Sequence, residues 1–334
     1  RIPLVNLIDG VGGSVTSISR RGHATFPGSG PDGFERSVEL MGVVPVVSAV
    51  MGTAAGGPSG RAILAHWTVM VKNTSQIFAA GPPVVERAYN TKVTKEELGG
   101  HKMAVDTAGT IDNAAESEAD CLQQIRRFLS YMPTNVWELP PQTACSDPVD
   151  RCEDALASII PRSQRQPYDM RKLIGMIVDR DSVFEIQPTF GRAVITTLAR
   201  MNGMVVGVIA YNPMFGGVVD VKAARKQAHF VELCDQFNMP IIFFADIPGL
   251  MAGVESESNA ILREGMAVAA AWGHALPIDP DGAQDPKLLT NNHKPSMAQD
   301  FEQGKMLEID PILTATQHMA RAAGVATPNL DAVT

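Results

Sequence analysis

Short apolar runs, each closed by a glycine turn, constrain this chain more than any other feature. Leu4 to Ile8 leads into Gly10, Gly12 and Gly13, and Val43 to Met51 leads into Gly52, Gly56 and Gly57. The second run is apolar almost throughout, as suits a strand buried on both faces of a sheet. Pro58 follows where the first turn of a helix tolerates proline. Thr68 to Val71 and Ile77 to Ala80 read as two more short strands, and Asn113 to Tyr131 as a helix with Cys121, Leu122, Ile125 and Phe128 on its apolar face. Further on, Met204 to Ala210 reads as a strand, Val219 to Phe237 as a helix and Ile241 to Asp246 as a buried strand. That order predicts a right-handed parallel crossover. The fold class expected is α/β.

Organisation follows from the breaks. Residues 132 to 167 are rich in Pro, Asp, Ser and Gln, a linker signal. Asp279 to Asn292 is polar and loop-like. Asp310 to Ala323 reads as an amphipathic helix, stopped by Gly324 and Pro328. The expected units are 1–135, a linker 136–167, 168–275 and a helical tail 279–334. The 334 residues and 45% hydrophobic content suffice for a sizeable core. The 28 basic against 36 acidic residues give a net charge of -8, which argues against binding nucleic acid or an anionic membrane. No apolar stretch reaches the roughly 18 residues of a membrane span. The opening Arg1-Ile-Pro-Leu-Val is neither a signal peptide nor a start methionine and reads as the edge of a core strand. Cys121, Cys145, Cys152 and Cys234 form no CxxC pair and sit beside no zinc-spaced histidines, so they read as reduced thiols of a cytosolic protein.

The turns are where chemistry is expected. In Asp9-Gly-Val-Gly-Gly13 a strand leads into bare backbone N–H groups, able to hold a phosphate or form an oxyanion hole. A dinucleotide fingerprint fails there, because Val15 stands at the third glycine position and no acidic residue ends a second strand about 20 positions on. A glycine turn without chemistry stays open. Met51-Gly-Thr-Ala-Ala-Gly-Gly57 repeats the device, and two such turns side by side suit a thioester carbonyl and its enolate. Phe78-Ala-Ala-Gly-Pro-Pro83 is a stiff turn that serves equally as a structural bend. Asn212-Pro-Met-Phe-Gly-Gly217 and Asp246-Ile-Pro-Gly249 flank the second crossover. Side chains able to act as a base are scarce: Asp9, Asp220 and Asp246 read first as turn or cap residues.

These motifs resemble biotin-dependent acyl-CoA carboxyltransferases, the β subunits of acyl-CoA carboxylases and related decarboxylases. The resemblance rests on Asn212 to Asp220, Lys226 to Phe237 and Met239 to Gly249. In the first half it rests on Arg1 to Asp9 with Gly12-Gly13, Val50 to Gly57, Gly81 to Pro83 and Glu97-Leu-Gly-Gly100. It covers about residues 1 to 257. It implies the crotonase fold, with two such domains per chain, and a hexamer whose active sites lie between the first half of one subunit and the second half of another. It also implies a biotin carboxylase and biotin carrier partner, an acyl-CoA substrate, and a cytoplasmic or mitochondrial-matrix location. The implied chemistry needs no metal in this subunit. Carboxybiotin releases carbon dioxide, the ureido nitrogen takes the α-proton of the acyl-CoA, and the enolate attacks the carbon dioxide. By match, Gly12 and Gly13 hold the enolate. Gly56, Gly57, Gly81 and Pro82 bind the acyl-CoA, and Gly216, Gly217, Pro248 and Gly249 face biotin.

The chain also departs from the family. The resemblance leads one to expect roughly a hundred residues before the strand at Leu4, and a further strand and Gly-Gly-Ala turn after Ala275, neither of which is found in this sequence. The tail instead resembles the end of the helical domain of the ketopantoate reductase family. That likeness rests on His293 to Asp300, Gly304, Leu307 to Asp310 and Ala323 to Pro328, with Ser296 matching a substrate-binding serine and Glu308 an active-site acid. Leu262 to Ile278 suits either family. Two alternatives to the carboxyltransferase follow: an NADPH-dependent 2-oxo acid reductase, resting on the tail alone, and a non-catalytic carboxyltransferase-like scaffold.

Overall fold

The computed structural model describes residues 2–11, 31–148, 150–163 and 166–271. The chain divides into two units, Arg1–Leu276 and Pro277–Thr334. The expected polar loop and helix of the tail lie outside the described residues.

The first half builds a parallel five-stranded sheet. Strands β1 (Leu4–Gly10), β2 (Val46–Ala55), β3 (Trp67–Val71) and β5 (Asn113–Ala115) lie in that order, and β4 (Gln76–Phe78) pairs with the upper end of β2. Helix α1 (Pro31–Met41) precedes β2, α2 (Gly57–Ile63) follows it, and α3 (Pro82–Tyr89) and α4 (Lys95–Gly99) follow β4. A capping box starts α4: Thr94 Oγ1 accepts from Glu97 N at 3.1 Å, while Thr94 N donates to Glu97 Oε2 at 2.8 Å.

Asn113 to Tyr131 departs from expectation. Its first three residues are β5, and the helix α5 spans Glu118–Leu129. Ser117 sets the boundary, because its side chain accepts from Asp120 N and caps the helix. Asn113 is claimed by the sheet: its Oδ1 accepts from Trp67 Nε1 and from Gln187 N, both at 3.2 Å, and its Nδ2 donates to Glu185 O at 3.0 Å.

Residues 132–167 are mostly irregular, with one helical turn at Leu156–Ile159, yet they are tied down. Asp147 accepts from Arg180 N at 3.0 Å, and Arg200 Nη1 donates to Pro141 O at 2.7 Å. After α6 (Met170–Ile177) the second half forms a mixed sheet in the order β6 (Phe184–Ile186), β7 (Val194–Met201), β8 (Met204–Tyr211), β9 (Ile241–Phe244). β8 is also the second arm of an antiparallel hairpin with β7, an addition to the expected strands. The hairpin turns at Asn202-Gly203, where both residues have positive φ (51° and 76°), the two-residue turn that favours this dipeptide. Helix α7 (Val221–Gln236) connects β8 to β9, which pair in parallel as the crossover requires. Strand β9 ends at Phe244 rather than Asp246, and it is a half-buried outer strand rather than a buried one. Helices α8 (Val254–Ser258) and α9 (Ile261–Ala271) complete the described residues.

One core joins the two sheets. Trp67 of β3 stacks on Phe128 of α5 at 4.9 Å and meets Phe184 of β6 edge-on at 5.5 Å. Phe230, Leu233, Cys234 and Phe237 of α7 pack into the same cluster, as their spacing indicates. All four cysteines are free thiols. Among the described residues no helix is long and apolar enough to cross a membrane.

Candidate active site

The carboxyl ends of parallel strands are where open α/β sheets bind ligands, and the first-half turns all leave from such ends. Gly10 of β1 pairs with Ala54 of β2, and Phe78 of β4 pairs with Ala55 on the other side of β2. With strands about 4.8 Å apart, the three turns start within roughly 10 Å of one another. Asp9 lies against the backbone of Gly52, where a Cβ would come within 2.2 Å of its carboxylate. Gly56 caps α2, a Cβ on Gly57 would meet nothing within 4 Å, and Gly81 caps α3 with Pro82 in the first helical turn. Ser59 Oγ donates to Phe78 O at 2.9 Å and ties the Gly56 turn to the strand end before Gly81. Gly12 and Gly13 lie outside the described residues.

The second half repeats this arrangement. Ala210 of β8 pairs with Phe244 of β9, so the Asn212 and Asp246 turns leave the sheet at the same level. Asn212 is buried and organises its turn: its Oδ1 accepts from Met214 N at 3.2 Å, its Nδ2 donates to Arg192 O at 3.0 Å, and its carbonyl accepts from Gly217 N at 3.0 Å. Gly216 and Gly217 have φ of 78° and 62°, the left-handed region that glycine adopts without strain. A Cβ on Gly217 would lie 2.9 Å from Asp246 O, so the two turns stack backbone to backbone. Val219 N then donates to Gly249 O at 3.1 Å.

Beside these turns opens a cleft of about 670 Å³, lined by Pro167, Tyr168, Pro213, Gly216, Asp246 and Pro248 among others. Gly216 and Pro248 of the expected site face it, whereas Gly217 and Gly249 serve in the turn-to-turn backbone contacts. Its lining comes from residues 160–248, so Gly56, Gly57 and Gly81 do not share it. Asp220 is a cap, as its position suggested, with Oδ1 accepting from Ala223 N at 2.7 Å. Asp246 accepts from the Tyr168 hydroxyl at 2.8 Å. Tyr168 joins the site from outside the glycine turns. The available signal was Asp169, a helix cap directly after the proline-rich stretch, whose Oδ1 accepts from Arg171 N at 3.0 Å.

Two further cavities lie where the halves meet. One, of about 650 Å³, has Arg192 stacked 3.8 Å over the Phe215 ring, with Lys222 and Asp106 nearby in its wall. The other, of about 230 Å³, holds buried Asp112, whose Oδ1 is 3.6 Å from His229 Nε2. Burial raises the Asp112 carboxyl above its ordinary range. Lys226, in the lining of the same cavity, is buried and donates to the carbonyls of Gln187, Phe190 and Val194. Burial pulls its ammonium down to about 7. Among the described residues no cluster of His, Cys, Asp and Glu is set to hold a metal.

Backbone turns at the carboxyl ends of the strands, with few side-chain bases beside them, define this α/β protein. The family model for the carboxyl transferase domain matches residues 1–275, and the chain belongs to that family. A second model, for the C-terminal part of ketopantoate reductase PanE/ApbA, matches residues 246–334 and overlaps the first over 246–275. The chain is 35% identical over 274 residues to the carboxyltransferase subunit of propionyl-CoA carboxylase from Haloferax mediterranei, covering 82% of this chain and 52% of that protein. It is 37% identical over 243 residues to the α subunit of methylmalonyl-CoA decarboxylase from Veillonella parvula, covering 72% and 48%. The mitochondrial propionyl-CoA carboxylase β chain of Homo sapiens is 38% identical over 245 residues, covering 73% and 46%. The chain thus spans about half the length of the curated relatives it matches. A solved structure of transcarboxylase 12S, described as a hexamer with hydrolysed methylmalonyl-coenzyme A bound, superposes with TM-score 0.74 at 30% identity. That match covers 81% of this chain and 53% of the transcarboxylase chain.

Proposed function

We propose that this chain is the carboxyltransferase component of an acyl-CoA carboxylase, moving a carboxyl group between biotin and the α-carbon of an acyl-CoA. The observation that carries the reading is the convergence of three adjacent strand ends, at Gly10, Gly56 and Gly81, in a chain whose relatives are named acyl-CoA carboxylases and decarboxylases. Gly56, Gly57, Gly81 and Pro82 bind the acyl-CoA, and the N–H groups of Gly12 and Gly13 hold the thioester oxygen as it gains charge. One such donor contributes about 3 kcal/mol to barrier lowering. The second-half cleft fits biotin: it has room, proline walls, and an open approach over Gly216, where a Cβ would meet nothing within 4 Å. When bound, carboxylated biotin supplies the carboxyl group and the ureido nitrogen that exchanges the α-proton. Gly216 and Pro248 face that ring, and Gly217 and Gly249 hold the two turns behind them.

The cleft takes no lining from the described residues of the first half, which agrees with a hexamer in which the acyl-CoA turns and the biotin cleft of one site come from different copies. The halves 1–135 and 168–275 act as two crotonase-like domains, with 136–167 between them and 279–334 as an added tail. The partners are a biotin carboxylase and a biotin carrier, in the cytoplasm or the mitochondrial matrix. The reductase reading is less favoured, since its family model matches only residues 246–334.

The test supplies the purified full chain with biotin carboxylase, biotinylated carrier, ATP, radiolabelled bicarbonate and propionyl-CoA. Label should enter acid-stable product, and Gly12→Val should abolish this with the fold intact. No incorporation by the wild type would refute the function. Normal turnover by Gly12→Val would refute the oxyanion assignment.

A further inference from the structure

The turn after β9 is suspended at two points. At its far end Val219 N donates to Gly249 O at 3.1 Å and Met251 N donates to Val219 O at 2.9 Å. At its near end the Tyr168 hydroxyl reaches Asp246 Oδ2 at 2.8 Å from 78 positions earlier in the chain. Between these ties the Asp246 carbonyl rests on the Gly217 backbone, and Tyr168, Asp246, Gly216 and Pro248 all border the same cleft. The tyrosine follows a proline and immediately precedes the cap of α6, so its backbone leaves a fixed helix start. Burial and the bond to Asp246 push its hydroxyl up to about 12, so it stays protonated and able to donate at neutral pH.

We propose that Tyr168 is a positioning residue for the biotin side of the reaction: its hydroxyl holds Asp246 and thereby seats the Asp246–Gly249 turn against Gly216–Gly217, forming the wall on which the ureido ring rests. This rests on the reading of the cleft as the biotin-facing part of the site. Tyr168 acts through Asp246 rather than on the reacting atoms. Its loss therefore weakens biotin binding and leaves the acyl-CoA turns of the first half untouched.

The experiment uses the full chain and biocytin as the probe. Equilibrium dialysis of biocytin, and KM and kcat for biocytin-dependent decarboxylation of methylmalonyl-CoA, are compared for wild type, Tyr168→Phe, Asp246→Ala and the double variant. Loss of one hydrogen bond to a carboxylate predicts about five-fold weaker biocytin binding and a matching rise in its KM for Tyr168→Phe. The kcat and the KM for methylmalonyl-CoA should stay unchanged. Asp246→Ala should show at least that loss, and adding Tyr168→Phe to it should cost nothing more, because both changes cut the same tie. Wild-type binding matched by Tyr168→Phe, or a KM for methylmalonyl-CoA that rises in step, overturns the positioning role and leaves the function standing. Failure of the wild type to bind biocytin while it still binds methylmalonyl-CoA overturns the biotin assignment of the cleft and this inference with it.

Discussion

Gly216 and Gly217 share a left-handed backbone but not a neighbourhood, which makes them a matched pair for testing what holds the turn beside the second-half cleft. An alanine at either position sits at positive φ, 78° or 62°, and strain there is on the order of 1 kcal/mol. At Gly216 nothing lies within 4 Å of the new methyl, so that is the whole cost. At Gly217 the methyl meets the Asp246 carbonyl at 2.9 Å, a backbone atom that cannot swing aside as a side chain would. The turn must shift by several tenths of an ångström, against the ties at Val219 and Tyr168. Overpacking of that kind adds about 1–3 kcal/mol. At roughly 2–4 °C per kcal/mol for a domain of this size, Gly216→Ala should lower Tm by about 3 °C and Gly217→Ala by about two to four times as much. Differential scanning calorimetry of the two variants against wild type reads the difference directly. Equal losses would mean that the Asp246 turn does not rest on Gly217, and the stacking argument would fail.

Other positions test other parts of the fold. His66 is buried, which lowers its pKa from 6.5 to about 4. Its folded-state pKa lies below the unfolded one, so its stabilisation is full above pH 6.5 and is lost as pH falls towards 4. That loss is about 3 kcal/mol, and His66→Gln should flatten this part of a denaturation series across pH. Asn113→Ala strands the Trp67 indole N–H and the Gln187 amide N–H in the core. At about 1–3 kcal/mol per orphaned donor, urea denaturation should show a loss of several kcal/mol. Ser117→Ala removes the cap of α5 and should cost about 1 kcal/mol by the same measurement.

Much of the architecture is legible because apolar runs and turn residues act locally. β1, the start of β2, β3, β8 and α7 follow from period, length and flanking glycines. What escaped was set by tertiary partners. Ala114 and Ala115 fit a helical face by spacing, yet they pair with Met70 and Val71 as a strand, and only Ser117 marks where helix begins. β6 and β7 are joined by a loop whose glycine, Gly191 at φ 51°, follows no continuous apolar run, although Asn202-Gly203 announces the hairpin of β7 with β8. β9 reads as buried because Ile241 to Phe244 are all apolar, but burial depends on what lies beyond the sheet edge. At the candidate site the glycines and prolines of the turns were visible, since their backbone geometry is written in residue type. Tyr168 was not, because a hydrogen bond spanning 78 positions leaves no local pattern.

The polar contacts in the core explain how two sets of turns can be fixed without touching each other's clefts. Asn113, on the last strand of the first sheet, binds the Trp67 indole of its own sheet and the backbone of Glu185 and Gln187 in the second. Arg200 of β7 likewise donates to Ser130 O at the end of α5 and to Pro141 O in the linker. Buried, directional contacts of this kind allow one register between the sheets, where apolar packing alone tolerates several. The glycine turns lie away from this seam, at the carboxyl ends of β1, β2 and β4 in one sheet and of β8 and β9 in the other. Those turns hold their shape mainly through main-chain hydrogen bonds and close backbone approach, as at Gly217 and Val219. Precision at the turns therefore depends on the seam staying locked. A substitution at Asn113 should degrade acyl-CoA and biocytin binding together, whereas one at Tyr168 should affect biocytin alone.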